Sequence, residues 1–316
     1  MTFSSDTSAF DGRRIVEYPA DDSSATVAWR VSHHEYDNST DVKLNEGFRA
    51  KLEAFLTDLG AETESLVIGS WGYAAFSPAP IEQLCAAAPR LPRLRSLFLG
   101  DIGAEECEIS WMKVGDVSRL LTAFPLLETL QVRGGEDFRF SGPVRNDHLR
   151  RLVVQSGGLG AGFTTAVLTS ELPELTDLEL WLGVDEYGGS TTLETLRPLL
   201  DGKLFPRLRR LALRNAENAD EIATALAQAP VVARLETLDL AMGTFGDQGA
   251  AALLAGQPLT HLRELGLEFH YMSDETTQAL VEALAGVEVN VDDQQEPDEY
   301  EDDGVTISER YTAVSE

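Results

Sequence analysis

Carboxylates dominate the groups able to do chemistry in this sequence: 53 Asp and Glu against 25 Lys and Arg, a formal charge of −28. Glu106 and Glu108 lie two apart and are of the type that performs general acid–base work. In a chain this acidic, such pairs arise from composition alone. Among five histidines, His33 and His34 are adjacent and are followed by Glu35 and Asp37, all metal-ligating types. Neighbours on a strand face opposite ways, so the pair does not converge on one ion, and no metal is expected. Cys85 and Cys107 form no Cys-x-x-Cys pair; they read as small buried hydrophobes. No Gly-x-x-x-x-Gly-Lys phosphate loop occurs. The expectation is a non-enzymatic chain without a cofactor.

The remaining candidates bind rather than react. Two segments pair aromatic residues with acids: Asp101, Glu105, Glu106, Glu108 and Trp111, then Trp181, Asp185, Glu186 and Tyr187. Between them lie Arg133 with Gly134 and Gly135, and Gln155 with Gly157 and Gly158. Exposed Trp and Arg are common interface anchors. The two segments are expected to stand as arms at the C-terminal rim of the strands and to make a walled pocket with aromatic sides, acidic groups and an arginine.

What positions these residues is a repeat. Leu-x-x-Leu-x-Leu, with Val sometimes third, occurs at Leu94–Leu97–Leu99, Leu127–Leu130–Val132, Leu149–Leu152–Val154, Leu175–Leu178–Leu180, Leu208–Leu211–Leu213, Leu235–Leu238–Leu240 and Leu262–Leu265–Leu267. A degenerate copy stands at Leu66 and Ile68. Leu208, Leu235 and Leu262 are 27 residues apart; earlier steps run 33, 22, 26 and 33. Alternate strand residues point to opposite faces, so the second and third leucines point inward together. The residue between them points to the concave face. Strand alternation puts Glu179, Trp181, Arg214 and Asp239 there beside Arg133 and Gln155, with Ser96, Phe98, Thr129, Gln131, Asp177, Arg210, Glu264 and Glu268. Acids and bases nearly balance on that face. Parallel strands need a crossover, and Ala-rich stretches opening at Asp220, Asp247 and Asp274 supply helices with Asp or Ser-Asp as the expected N-cap. Pro92, Pro125, Pro173, Pro206, Pro230 and Pro258 stop the helices before the next strand.

This pattern resembles the leucine-rich-repeat superfamily, and the long helical returns resemble its ribonuclease-inhibitor-like class, over Ser65 to Asp292. The resemblance implies an α/β solenoid, a parallel sheet inside and helices outside, in which each repeat buries its leucines against the next. One departure is plain. The superfamily carries Asn three residues after the third Leu; here the position reads Ile102, Gly135, Gly157, Gly183, Ala216, Gly243 and His270. Without an asparagine ladder, the rim is expected to be bare, with accessible backbone N–H groups. His270 is expected at the surface. Closer still, Gly100-Asp101-Ile102 with Glu106 to Trp111, Leu180 to Gly183 with Glu186 to Gly189, Gly256 to Leu259, and the ending Arg310 to Glu316 resemble a bacterial cytoplasmic repeat family known mainly from actinobacteria and named after a Salmonella locus. That resemblance implies a role beside enzymes of a shared gene cluster and assigns no catalytic residue.

The ends differ from the array at 61–291. Residues 1–60 read as a cap: strands at Ile15 to Tyr18 and Val27 to Val31, then Leu44, Phe48, Leu52, Phe55 and Leu59 at helical spacing with Gly60 as the stop. A terminal strand is expected at Val287 to Val291. Residues 292–316 read as an acidic tail, a flexible tether from Asp292 to Gly304 and then a stretch whose Ile307, Tyr311 and Val314 are suited either to docking or to fraying. The net charge disfavours nucleic acid. No stretch approaches the ~20 apolar residues of a membrane span, and the amino terminus has no signal-peptide pattern. The expectation is a cytoplasmic protein-binding scaffold. A small-molecule or peptide binder, or an accessory subunit of an enzyme complex, are the alternatives.

Overall fold

The computed structural model describes residues 7–20, 26–34, 46–302 and 305–316. Leu44, Glu35, Asp37 and Gly304 lie outside them. The chain forms two compact units, the first comprising Met1–Gln155 with Thr169–Leu175 and Glu316, the second Ser156–Leu168 with Thr176–Ser315.

In the first unit the strands follow chain order: β1 (Ala9–Phe10), β2 (Arg13–Glu17), β3 (Ala28–His33), β4 (Ser65–Trp71), β5 (Ser96–Leu99), β6 (Thr129–Arg133) and β7 (Arg151–Gln155). All pairs are parallel except the β1–β2 hairpin. The motif leucines fall in register, Leu66 opposite Leu97, then Leu130, then Leu152, and none is more than 1% exposed. Helices α1 (Glu46–Asp58), α2 (Ile81–Ala87) and α3 (Ser118–Ala123) return the chain. Phe48, Leu52, Phe55 and Leu56 form the buried stripe of α1, while Leu59 is only half-buried.

The second unit repeats the plan: α4 (Ala161–Leu168), β8 (Asp177–Gly183), α5 (Leu193–Leu200), β9 (Arg210–Ala216), α6 (Ala219–Leu226), β10 (Thr237–Asp239), α7 (Asp247–Ala255), β11 (Glu264–Gly266), α8 (Asp274–Ala283) and β12 (Glu288–Asn290). Leu178, Leu211, Leu238, Leu265 and Val289 stand side by side on five parallel strands. The four leucines are fully buried, each worth roughly 1.5–3 kcal/mol. In-register Leu motifs on parallel strands with helical returns make this a leucine-rich-repeat fold.

Four expectations need correction. The tether does not run free through Asp298–Asp302: that stretch is β13, paired antiparallel with β14 (Val305–Glu309). Asp220 and Asp247 do not cap their own helices. Asp220 Oδ1 accepts from the N–H groups of Gly246 and Gly249 in the next repeat, and Asp247 Oδ1 from Ser273 N–H; α8 is capped by Ser273. The rim is not bare. Gly134 N–H donates to Gln155 O, Gly135 to Met112 O, Val184 to Gly157 O, Met242 to Glu268 O and Thr244 to Ala216 O. The glycines are there because the turns stack so closely: at Gly183 (φ +70°) a Cβ would lie 1.9 Å from Gly157 O, and at Gly135 one would lie 2.5 Å from Ser110 Cα. Finally, His270 is 1% exposed and fills the asparagine role at its turn, its Nδ1 accepting from Met272 N–H while Nε2 donates to Val291 O.

Candidate binding surfaces

The first unit's concave face is covered by the chain's own beginning. Phe10 packs on Ala28, Val67 and Phe98, its ring 5.7 Å from that of Phe98. Asp11, at the turn of the β1–β2 hairpin with φ +51°, accepts from Ser96 Oγ and Thr129 Oγ1. Thr7 Oγ1 donates to Asp101 Oδ1 at 2.8 Å. The apolar residue between the β5 leucines, Phe98, is thereby buried completely. Hydrophobic exposure on the concave side would be costly, and a hairpin laid across it removes that cost.

Asp101, Arg133 and Gln155 meet, but as a buried cluster. Arg133 Nε donates to Gln155 Oε1 at 2.9 Å and Nη1 to Ile102 O at 3.1 Å, with the guanidinium 5.5 Å from the Phe98 centroid. Burial lowers the Arg133 pKa, and the Asp101 carboxylate pulls it back. Asp101 pairs with Arg30. Arg133 is 6% exposed, so it holds the rim together rather than projecting from it as an anchor.

The insert after β5 behaves differently. Ile102, Cys107, Ile109 and Met112 are buried and pin it down. Trp111 is left 52% exposed at the end of the short 3-10 turn Ile109–Trp111, beside exposed Glu105 and Glu108. Two residues that sequence reasoning missed join it. Tyr73 and Phe76 follow β4, stack at 4.7 Å and are 47% and 55% exposed. Lys113 N–H donates to Ala74 O, and Ala79 N–H to Lys113 O, so the two loops are stitched backbone to backbone. Three of the eight exposed large hydrophobics among the described residues sit on these loops. The signal was legible: a Tyr-x-x-Phe run stands directly after a strand. Burial, with Glu108 and Glu106 nearby, pushes the Cys107 thiol up to about 11 and keeps it protonated.

Glu106 pairs with His34. Both line a 390 Å³ cleft with Glu17, Arg30, Ser32, Lys51 and Asp101. Among the described residues no group of three His, Cys, Asp or Glu is arranged to hold a metal.

Glu179, Trp181, Arg214 and Asp239 come together in the second unit. Arg210 reaches Asp177, Glu179 and Asp239 at 3.2, 2.8 and 3.1 Å. Arg214 approaches Glu179, Asp239 and Glu268 at 3.6 to 3.9 Å and lies 6.0 Å from the Trp181 centroid. Trp181 Nε1 donates to Glu179 Oε1 at 2.9 Å. Burial alone would raise the Glu179 pKa, but Arg210 and Arg214 win and hold it low; at Asp239 burial wins and raises it. Trp181 is 2% exposed, which corrects its expected part as an exposed anchor: it is the floor of this network. Tyr187 is half-buried in the Asp185–Tyr187 turn. The two expected arms thus fall in different units, Trp111 in the first and Trp181 with Tyr187 in the second.

No family model and no curated protein matches the chain. Among solved structures, a protein of Bacteroides fragilis is similar, with 29% identity over 80% of this chain and 74% of its own, at a TM-score of 0.74. An internalin of Listeria monocytogenes is also found, at 14% identity over 73% of this chain and 55% of its own, with a TM-score of 0.39. The Bacteroides likeness extends this arrangement of repeats to a second protein. No helix among the described residues is long and apolar enough to cross a membrane.

Proposed function

We propose that this chain is a non-catalytic protein-binding scaffold whose contact surface is the C-terminal rim of the first unit. The observation that carries the reading is the exposure of Tyr73, Phe76 and Trp111 on two interlocked loops. Large aromatics left half in water on rigid loops are what interfaces use as anchors. Glu105, Glu106 and Glu108 surround Trp111 as a polar rim. Residues 7–12 cover much of the first unit's concave face, so in that unit the rim carries the contact. The free Cys85 and Cys107, with no disulfide caps, support the cytoplasm as the compartment. The resemblance to the actinobacterial repeat family supports an enzyme complex as the setting, with this chain as accessory subunit.

A second reading rests on the 390 Å³ cleft at Arg30, Lys51 and Glu106, whose size and polarity suit a small charged metabolite.

The test is affinity capture with the full-length protein from its own cells, run beside a Phe76→Ala, Trp111→Ala variant. A protein retained by the wild type and lost by the variant is the expected result. Equal recovery by both removes the rim from consideration. Arg133 and Trp181 are unsuitable probes because both are structural.

A further inference from the structure

The last residues of the chain are held by the second unit in the manner of a bound peptide. Tyr271 Oη donates to Tyr311 O and accepts from Tyr311 N–H, both at 2.9 Å. Ala313 N–H donates to Met242 O at 2.9 Å. Asn215 reads Val314 on both sides, its Oδ1 accepting from Val314 N–H at 3.0 Å and its Nδ2 donating to Val314 O. Of these three receiving residues, Asn215 stands at the end of β9, and Met242 and Tyr271 stand in the turns after β10 and β11. Asn215 and Met242 are both in the left-handed region, at φ +53° and +70°.

Two side chains of the segment are read as well. The Arg310 guanidinium donates to Asp220 Oδ2 and Thr244 O, each at 3.1 Å, and lies 5.6 Å from the Tyr271 centroid. It occupies the space in front of Gly246, where a Cβ would come within 2.2 Å of its Nη1. Val314 is 5% exposed, while Tyr311 is 51% exposed. Main-chain bonds for affinity and slots for alternating side chains for specificity are the physics of peptide recognition. The segment is not part of a repeat. It follows β13 and β14, which pair only with each other.

We propose that the end of β9, the start of α6 and the turns after β10 and β11 form a peptide-binding groove for a segment carrying arginine four residues before a small aliphatic residue, and that Arg310–Val314 is its resident occupant. The partner is a protein segment of the same chemistry, which displaces the resident. A tethered segment acts at an effective concentration on the millimolar scale, so it weakens every competitor while it is docked. Asn215, Asp220 and Tyr271 are the recognising residues, one for the main chain, one for the guanidinium and one for both. The groove lies in the second unit and is independent of the rim proposed above.

The experiment uses full-length protein and a fluorescein-labelled peptide of residues 310–316, followed by anisotropy. An Arg310→Ala, Val314→Asp variant releases the resident. It is expected to bind the peptide at least about tenfold more tightly than the wild type does. Adding Asn215→Gly, which suits the positive φ but removes the amide, is expected to abolish that binding. Alanine at the peptide's arginine or valine is expected to weaken it. A released variant with the wild-type circular dichroism spectrum that leaves the peptide free at millimolar concentration overturns the proposal. If the double variant does not fold, Arg310→Ala alone, which removes one half-exposed ion pair, serves instead: a measurable gain in peptide affinity supports the groove, and no gain overturns it.

Discussion

Asp220 stands in the first turn of α6, yet its Oδ1 accepts from the N–H of Gly249, in the first turn of α7, at 3.0 Å. It accepts from Gly246 N–H as well, at 2.8 Å. Asp247 does the same for Ser273, and in the first unit Asp116 does it for Ser141. A ladder of aspartates on the helix side thus supplies repeat-to-repeat bonds. Asp220→Ala leaves two N–H groups without their acceptor and is expected to cost about 1–3 kcal/mol. Asp220→Asn keeps one oxygen and is expected to cost less than half as much. Urea denaturation of both variants checks this; an Asn variant as unstable as the Ala variant would show that charge, not the acceptor, is what matters.

Arg210 is the hub of the second unit's charged face, and its removal is expected to be felt by buried groups. Glu179 and Asp239 are 5% and 7% exposed, and attraction from Arg210 is the first influence holding Glu179 below its ordinary range once burial is overcome. Arg210→Met is expected to cost about 3 kcal/mol at pH 7, because it strands buried carboxylates. The signs for the two acids differ. Glu179 is lowered in the folded protein, so its contribution is present above 4.5, its ordinary value, and fades as pH falls through the folded value. In the variant that contribution is reduced, so the gap between variant and wild type is expected to narrow as pH falls below 4.5. A gap that stays constant over that range assigns the loss to packing instead.

The repeat was legible because burial imposes a period on leucine and because seven copies share one register. The same alternation placed Glu179, Arg214 and Asp239 on one face. It did not show that Arg133 and Trp181 are buried. Their covering comes from neighbours far along the chain: Phe98 beneath Arg133, Arg214 over Trp181, and residue spacing carries no such information. Of the hairpin at residues 9–17 only the strand at Ile15 to Tyr18 is legible, since nothing in Phe10-Asp11-Gly12 says that the turn folds back over Phe98. The aspartate ladder could have been found. Asp220, Asp247 and Asp274 each stand seven residues after a third leucine, at Leu213, Leu240 and Leu267, which is a repeat position rather than a cap.

Phe10 is 5% exposed and is the main apolar contact between the β1–β2 hairpin and the face behind it. Phe10→Ala is expected to cost about 3 kcal/mol, the usual range for losing a buried phenyl. It is also expected to loosen the hairpin. Trypsin cleavage at Arg13 or Arg14 should then precede cleavage elsewhere, whereas the wild type should resist there. Rapid cleavage at these two sites in both proteins would show that the hairpin gains nothing from Phe10.

His270 offers a pH signature of its own. Its Nδ1 accepts from Met272 N–H, so the proton of the neutral ring sits on Nε2, which donates to Val291 O at 3.0 Å. A second proton on Nδ1 would abolish the Met272 bond. Burial is the main reason its pKa lies below the ordinary 6.5, outweighing Val291 O, Asp247 and Asp293, which favour the charged ring. The unfolded chain therefore takes up a proton near 6.5 that the folded chain refuses. Stability from this group is complete above 6.5 and is lost as pH falls from there toward the folded value. The melting temperature is expected to decline between pH 7 and 5.5, before the carboxylates titrate. His270→Asn removes the titrating ring and is expected to flatten that decline while keeping a donor and an acceptor at the turn. An unchanged slope in the variant would move the pH dependence to another group and leave His270 as packing alone.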